Sequence, residues 1–404
     1  MTAIRRLSGA AYGTHFADQI ALVSLPLVAA LAFDASPEVI GILAACQSSA
    51  HLLGSIPFGI LVDQGQLRTL TILSALIAVV GFGMAAVGIV LGSLLWFGGS
   101  VTVAGFGVVL FGLTSLSILP RVVGPSALAQ ANSAIQIPRA LCSFAVPLAV
   151  GIVIVDVPSW SIFAAAALAS IVALAFASSL PRFDLDPKAT ASIWSRIVEG
   201  GRYVARHRLL LPITLCSVFW NLAFAALLVV LIPVIQDVYL FDPGTFGFAL
   251  ASFGLAAILG SWLAGRLADR VAPRIILLFG PGSSSVAAFG LLLIDAETLE
   301  AWLYACFFLL GFGPSLWLVS QNAVRQLVSP PLILGRVNAV IQTAIYGVRP
   351  IGALIGGLVA GQAGPTAGLG LVAAAFGLSF AVSVFSDLRR IRSYQSLRVT
   401  PAAE

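Results

Sequence analysis

A handful of ionisable side chains lie inside long apolar stretches of this sequence, at Asp18, His15, His51, Arg139 and Arg349. A charge at membrane depth is costly, so each is a functional candidate by default. Asp18 comes about nine residues into the first stretch, roughly 14 Å along a helix rising 1.5 Å per residue. That depth is near the middle of a bilayer. A carboxyl there is expensive to keep ionised unless it is paired, so it can exchange a proton or touch a polar substrate. His15 precedes it by one helical turn on the same face, and His51 falls midway along the second stretch. Either can partner Asp18, although a lone histidine in a helix bundle is also satisfied by one packing hydrogen bond. Arg349 lies about eleven residues into its stretch and calls for a partner or an anionic ligand. Arg139 is nearer an end and can snorkel to the interface. Gln136 and Gln342 are polar candidates to face a cavity, with Asn221, Gln47, Gln321 and Asn322 behind them. Phe16, Phe219, Trp220, Phe224 and Tyr346 can line an apolar pocket or simply pack against neighbours.

Other chemistry is excluded by what is missing. The one lysine, Lys188, lies in a polar loop. There is no Walker A loop, which needs a lysine after its glycines to hold phosphate, and no intramembrane lysine for a Schiff base. ATP-driven work by this chain alone is therefore excluded. Three histidines form no HExxH motif, so neither a metal site nor a catalytic constellation is expected, and no cofactor. Cys46, Cys142, Cys216 and Cys306 are far apart in apolar stretches and read as small core residues.

The elements that must position these groups follow from composition. Hydrophobic residues make up 59% of the 404 positions and charged ones 9%, against about 25% charged in a soluble domain. A polytopic membrane protein is the class that fits. Twelve segments of about 20 apolar residues span 9–33, 38–61, 68–91, 94–119, 135–156, 159–180, 209–235, 244–267, 274–294, 300–322, 338–361 and 366–386. The first follows Arg5 and Arg6 like a signal peptide, but it is too long and carries Asp18, so it is expected to stay as a helix.

The net charge of +5 does not mean nucleic-acid binding, because the arginines sit in short loops rather than on one face. Arg5, Arg6, Arg68, Arg121, the cluster from Arg182 to Arg208, Arg266, Arg270, Arg274, Arg325, Arg336 and the tail arginines fall on one side. The opposite loops hold only acids, among them Asp34, Glu38, Asp156, Asp237, Asp242 and Asp295. By the positive-inside rule both termini are cytoplasmic. The longest polar stretch, 181–208, ends in apolar residues at helical spacing with arginines between, and predicts an amphipathic surface helix. The expected organisation is a six-helix half over 1–180, the linker 181–208, a second six-helix half over 209–388 and a cytoplasmic tail over 389–404.

The halves repeat. At a constant offset of 206, Gly59 and Asp63 recur as Gly265 and Asp269, Arg68 as Arg274, Leu53-Gly54-Ser55 as Leu259-Gly260-Ser261, and Pro37, Gly41, Asn132, Gln136 and Gly151 as Pro243, Gly247, Asn338, Gln342 and Gly357. Both copies begin on the same side, so the repeats are parallel, related by an axis along the membrane normal. Such halves are expected to enclose a central cavity and to rock about a midplane site.

With these features the sequence resembles the major facilitator superfamily over its whole length. The family's loop signature, G-x-x-x-D-R/K-x-G-R/K-R/K, is kept at Gly265, Asp269, Arg270 and Arg274 and weakened at Gly59, Asp63 and Arg68, where Gln64 replaces the first basic residue. Physically an Asp at a helix end can pair with Arg and accept N–H groups of the next helix. These residues are accordingly expected to latch the conformation closed on the cytoplasmic side. Gly13 to Pro26, Glu199 to His207, and the pairs Ala131-Asn132 and Val337-Asn338 are similar to the macrolide- and siderophore-efflux branch. The antiporter signature of the fifth helix departs from the pattern, with bulkier residues around Pro147. The resemblance implies an all-α transporter of a bacterial cytoplasmic (inner) membrane. It would export a small amphipathic drug, macrolide or siderophore-like molecule by proton antiport, driven by an ion gradient, and confer drug resistance. A proton-coupled importer of a small metabolite is the alternative. The partners expected are the small-molecule substrate and the bilayer, with no nucleic acid and no ATP, and the chain is expected to act as a monomer.

Overall fold

The computed structural model describes residues 2–64, 66–123, 128–183, 193–267, 270–330, 333–394 and 397, and among them no strand occurs. The helices are α1 (Thr2–Phe33), α2 (Pro37–Gln64), α3 (Leu67–Val90), α4 (Leu94–Val122), α5 (Leu128–Val153), α6 (Ser159–Ser178), α7 (Ile193–Arg206), α8 (Leu210–Pro233), α9 (Gly244–Leu267), α10 (Pro273–Leu291), α11 (Glu300–Val328), α12 (Leu334–Ala363) and α13 (Pro365–Phe385). A π-helical turn, Val234–Tyr239, extends α8, and a 3-10 turn, Asp387–Arg390, follows α13. Eleven of these helices are long and apolar enough to cross a membrane. The twelfth by position is α2, whose middle carries Gln47, Ser48, Ser49 and His51. The short α7 is the amphipathic helix expected in the linker.

Several helices run past the expected bounds at their arginine-rich ends: α1 starts at Thr2, α4 continues through Pro120, α11 ends at Val328 and α12 starts at Leu334. The cause is tertiary. Leu7, Ala10 and Ala11 are buried in one cluster with Leu110, Phe111, Ile118 and Ile135, so the first turns of α1 have a core to join although they precede the apolar run.

The chain divides into two compact units, residues 1–189 with 242–251, and residues 190–241 with 252–404. The linker helix α7 thus belongs with the second unit. In the first, α3 packs on α4 and α6, and α1 on α5 and α6. In the second, α10 packs on α11 and α13, and α8 on α12 and α13. These are the same pairings displaced by one repeat, so the sequence duplication is a structural one. Close approach explains two of the glycines. A Cβ on Gly81 of α3 would meet the backbone of Ala104, and one on Gly356 of α12 would meet Ala226 of α8. Where helices associate without a hydrophobic driving force, such small residues let backbones touch.

Candidate functional site

In the first unit the candidates gather on the seam between α1 and α5. His15 and Asp18 are half-buried on α1, one turn apart. The His15 ring stands edge-on to Phe111 of α4, with centroids 6.3 Å apart. Arg139 of α5 is exposed and within electrostatic range of His15. Cys142, one turn further along α5, is buried, faces the backbone of Tyr12 and lies within electrostatic range of Asp18. Asp18 and His15, already one turn apart on one helix face by their spacing, therefore share a neighbourhood with Arg139. Cys142 joins them, and its position three residues after Arg139 on α5 was the available signal. Cys46, by contrast, is exposed rather than a core residue.

The other first-unit candidates are dispersed. His51 is half-buried on α2 and is engaged there. Gln136 is exposed on α5, and Asn132 has a side chain outside the described residues.

In the second unit Arg349 of α12 is held by name. Its Nε donates to Oδ1 of Asn221 on α8 at 3.0 Å. Asn221 is 8% exposed and fixes its own amide by donating from Nδ2 to the Ser217 carbonyl at 2.9 Å. The guanidinium also lies over the Tyr346 ring, 5.5 Å from its centroid, within cation–π range. The adjoining stripe of α8 is a packing face: Trp220 stacks on Phe224 at 5.0 Å, Phe224 on Phe253 at 5.0 Å, and Trp220 Nε1 donates to Ser284 Oγ at 2.9 Å. Gln342 is exposed on α12, while Asn338 is half-buried with Oδ1 unpartnered.

The pairing of Arg349 with Asn221 was not foreseen, yet the repeat carries a clue. His15 and Asn221 are 206 positions apart. Each unit therefore sets a polar residue at the same place on its first spanning helix, beside an arginine on its fifth. The arginines are not themselves mates, since Arg349 corresponds to Ser143, one turn beyond Arg139.

At the arginine-rich helix ends, Arg68 is half-buried and donates from Nη2 to the Ser178 carbonyl at 2.7 Å. Arg6 donates to the neighbouring Ser179 carbonyl. Together they supply cations at the C-terminal end of α6, where the helix dipole favours them. The Arg274 N–H donates to the Ile391 carbonyl at 3.0 Å, so the post-α13 segment is tied to the start of α10. Arg270 is exposed, and Gly59 has open space around it. The Asp63 side chain and Asp269 lie outside the described residues, as does the setting of Gly265.

A cap completes the set. His207 Nδ1 accepts from the N–H groups of Leu209 and Leu210 at 3.2 and 3.3 Å, at the start of α8. Burial, and then the neighbouring Arg208, hold the His207 pKa below its usual 6.5.

Among known proteins, the chain matches the Major Facilitator Superfamily over residues 7–353 and 214–398. It is 26% identical over 254 residues to the enterobactin exporter EntS of Shigella dysenteriae serotype 1 (strain Sd197) and to that of Escherichia coli O1:K1 / APEC. The match covers 61% of this chain, which spans 59% of the length of those relatives. Among solved structures, a POT family transporter in complex with 5-aminolevulinic acid superposes with a TM-score of 0.77 at 12% identity, covering 95% of this chain and 96% of that one. The nucleoside transporter NupG gives 0.76 at 13%, covering 98% and 99%. A D-xylose-proton symporter gives 0.73 at 14%, covering 99% of each. At such identities these three establish the fold alone.

Proposed function

Because the chain belongs to the Major Facilitator Superfamily and is a multi-pass membrane transporter rather than an enzyme, we propose that it exports a small amphipathic organic molecule by proton antiport with alternating access. The observation that carries this reading is the seam of α1 and α5, where Asp18 and His15 sit half-buried beside Arg139 and Cys142. A carboxyl at that depth has two states of very different cost, and the energetic gap between them is what couples a proton to a conformational step. Asp18 is the group that loads and releases the proton. His15 and Arg139 set the local field that it feels. The direction of transport rests on the likeness to exporters, and a siderophore-like or drug-like cargo is the corresponding class. Arg349, oriented by Asn221 and Tyr346, supplies a positive centre in the second unit for a polar or anionic part of the cargo.

In this reading the protein lies in a bacterial inner membrane with both termini in the cytoplasm and works as a monomer on an ion gradient, without ATP. The Gly59–Arg68 and Gly265–Arg274 segments latch its cytoplasm-closed state.

The test uses everted vesicles energised to an inside-acid gradient and a pH-sensitive dye. A panel of lipophilic drugs, macrolides and siderophores is added. Wild-type vesicles are expected to release protons on addition of a transported compound, and Asp18→Asn vesicles are expected to stay silent. Proton-driven accumulation of the same compound in right-side-out vesicles would reverse the direction and make the protein an importer.

A further inference from the structure

The segment from Glu199 to His207, on and directly after α7, has no part in the candidate transport site. One face of it is nevertheless committed to three other helices. At about 3.6 residues per turn, Gly200, Tyr203, Val204 and His207 share that face, with Glu199 at its edge. Val204 is 3% exposed and lies in one buried cluster with Val328 of α11, Val337 of α12 and Leu210 of α8. Val198, Arg202, Ala205 and Arg206, on the other side, are exposed.

Each polar group on this face meets a helix terminus of matching polarity. His207 Nδ1 accepts from the first amides of α8. The Tyr203 hydroxyl donates to the carbonyl of Val328, the last residue of α11, at 2.8 Å. The Glu199 carboxylate pairs with Arg336 in the first turn of α12, the end at which the helix dipole favours an anion. A helix leaves unanswered N–H groups at its start and C=O groups at its finish. The starts of α8 and α12 have no caps of their own, because Leu209 and Ile333 stand at the N-cap positions and make no side-chain bond there. Gly200 permits the approach of α7 to α12. A Cβ at Gly200 would lie 2.8 Å from the carbonyl oxygen of Arg336, whereas one at the adjacent Gly201 would meet nothing within 4 Å.

From these contacts we infer that α7 is a conformational brace, a single helix that holds the end of α11 and the starts of α8 and α12 as one body through Glu199, Gly200, Tyr203 and His207. The chain enters the second unit just before α7, at residue 190. A pull along the linker is therefore shared among three helices instead of falling on α8, the next in sequence. Two of the three, α8 and α12, are the helices that Asn221 and Arg349 join.

Hydrogen exchange of the purified full chain, read by mass spectrometry, tests the brace, because amide exchange reports local opening of each helix end. The two neighbouring glycines give opposite expectations. Alanine favours a helix over glycine by roughly fivefold per site, so Gly201→Ala is expected to slow exchange in α7 and to leave the other helices unchanged. Gly200→Ala has the same propensity but drives a Cβ into the Arg336 backbone. It is expected to speed exchange in α7 and, together with it, at the end of α11 and the starts of α8 and α12, by about threefold or more. The ion pair supplies a second measurement should Gly200→Ala fail to fold. Glu199→Arg is expected to raise exchange at the same three ends by roughly two- to fivefold, and Glu199→Arg combined with Arg336→Glu is expected to restore it. Like behaviour of the two alanine variants would overturn the brace, since α7 would then only lie near its neighbours. A rise confined to α7 in either Gly200→Ala or Glu199→Arg, or failure of the charge exchange to restore the wild-type pattern, would overturn it too. None of these outcomes depends on what the protein transports.

Discussion

An arginine deep in a spanning helix is tolerated only when its donors are answered, and at Arg349 one answer is the amide oxygen of Asn221. A hydrogen bond to a charged group contributes about 2 kcal/mol net, and Asn221, at 8% exposure, offers water little chance to replace it. Asn221→Leu is therefore expected to lower the thermal unfolding midpoint of the purified protein by the equivalent of about 2 kcal/mol. Asn221→Gln, which keeps the amide, is expected to recover part of it. An unchanged midpoint for the leucine variant would mean that the bond contributes nothing to stability. At this scale the sequence singles out individual residues and is poor on whom they meet. Asp18 and Arg349 stand out because a charge in an apolar run is conspicuous. Asn221 does not, because an amide is cheap enough to occur for many reasons, and its role depends on how α8 packs against α12.

Elements were legible to the extent that hydrophobic length sets them. The twelve spans and the amphipathic α7 follow from composition and spacing, whereas helix ends depended on partners such as the cluster around Leu7 that no local pattern discloses. The junction of α7 and α8 shows the same dependence. Leu209 supplies no capping side chain for α8, and the first amides of the helix are instead answered from outside it by His207 Nδ1. This cap works only while Nδ1 is unprotonated. The folded pKa is depressed below 6.5, so between the two pKa values the unfolded chain binds more protons than the folded one, and stability rises with pH. The contribution is fully present above pH 6.5 and is lost as the pH falls from there toward the folded pKa. Unfolding midpoints measured from pH 7.5 down to pH 5 are expected to fall more steeply for wild type than for His207→Asn, which keeps a capping acceptor but does not titrate. Parallel curves for the two proteins would remove His207 from the account.

For the molecule as a whole, the strongest regularity is where the positive charges are. Every lysine and arginine except Arg139 and Arg349 falls at the start of an odd-numbered span, the end of an even-numbered one, or in the linker and tail. Cations in short loops resist translocation, so the loops that carry them should all remain on the cytoplasmic side. The argument is stringent because it is cumulative. One span too many or too few before α7 would send every later arginine cluster to the opposite face, against the rule at each step. Cysteine accessibility decides the matter. With the exposed Cys46 replaced by alanine and the three buried cysteines retained, Ser36→Cys reports the arginine-free side between α1 and α2, and Ala205→Cys reports α7; both positions are exposed. A membrane-impermeant maleimide is expected to label the Ser36→Cys protein in intact cells, and the Ala205→Cys protein only in everted vesicles. Labelling of both in intact cells would require an odd number of crossings before α7, and the parallel repeat would then fail along with the topology. Labelling of neither in intact cells but both in everted vesicles would do the same. A clean exchange of the two sides would keep the six-helix repeat and its internal pairings, and would overturn only the orientation.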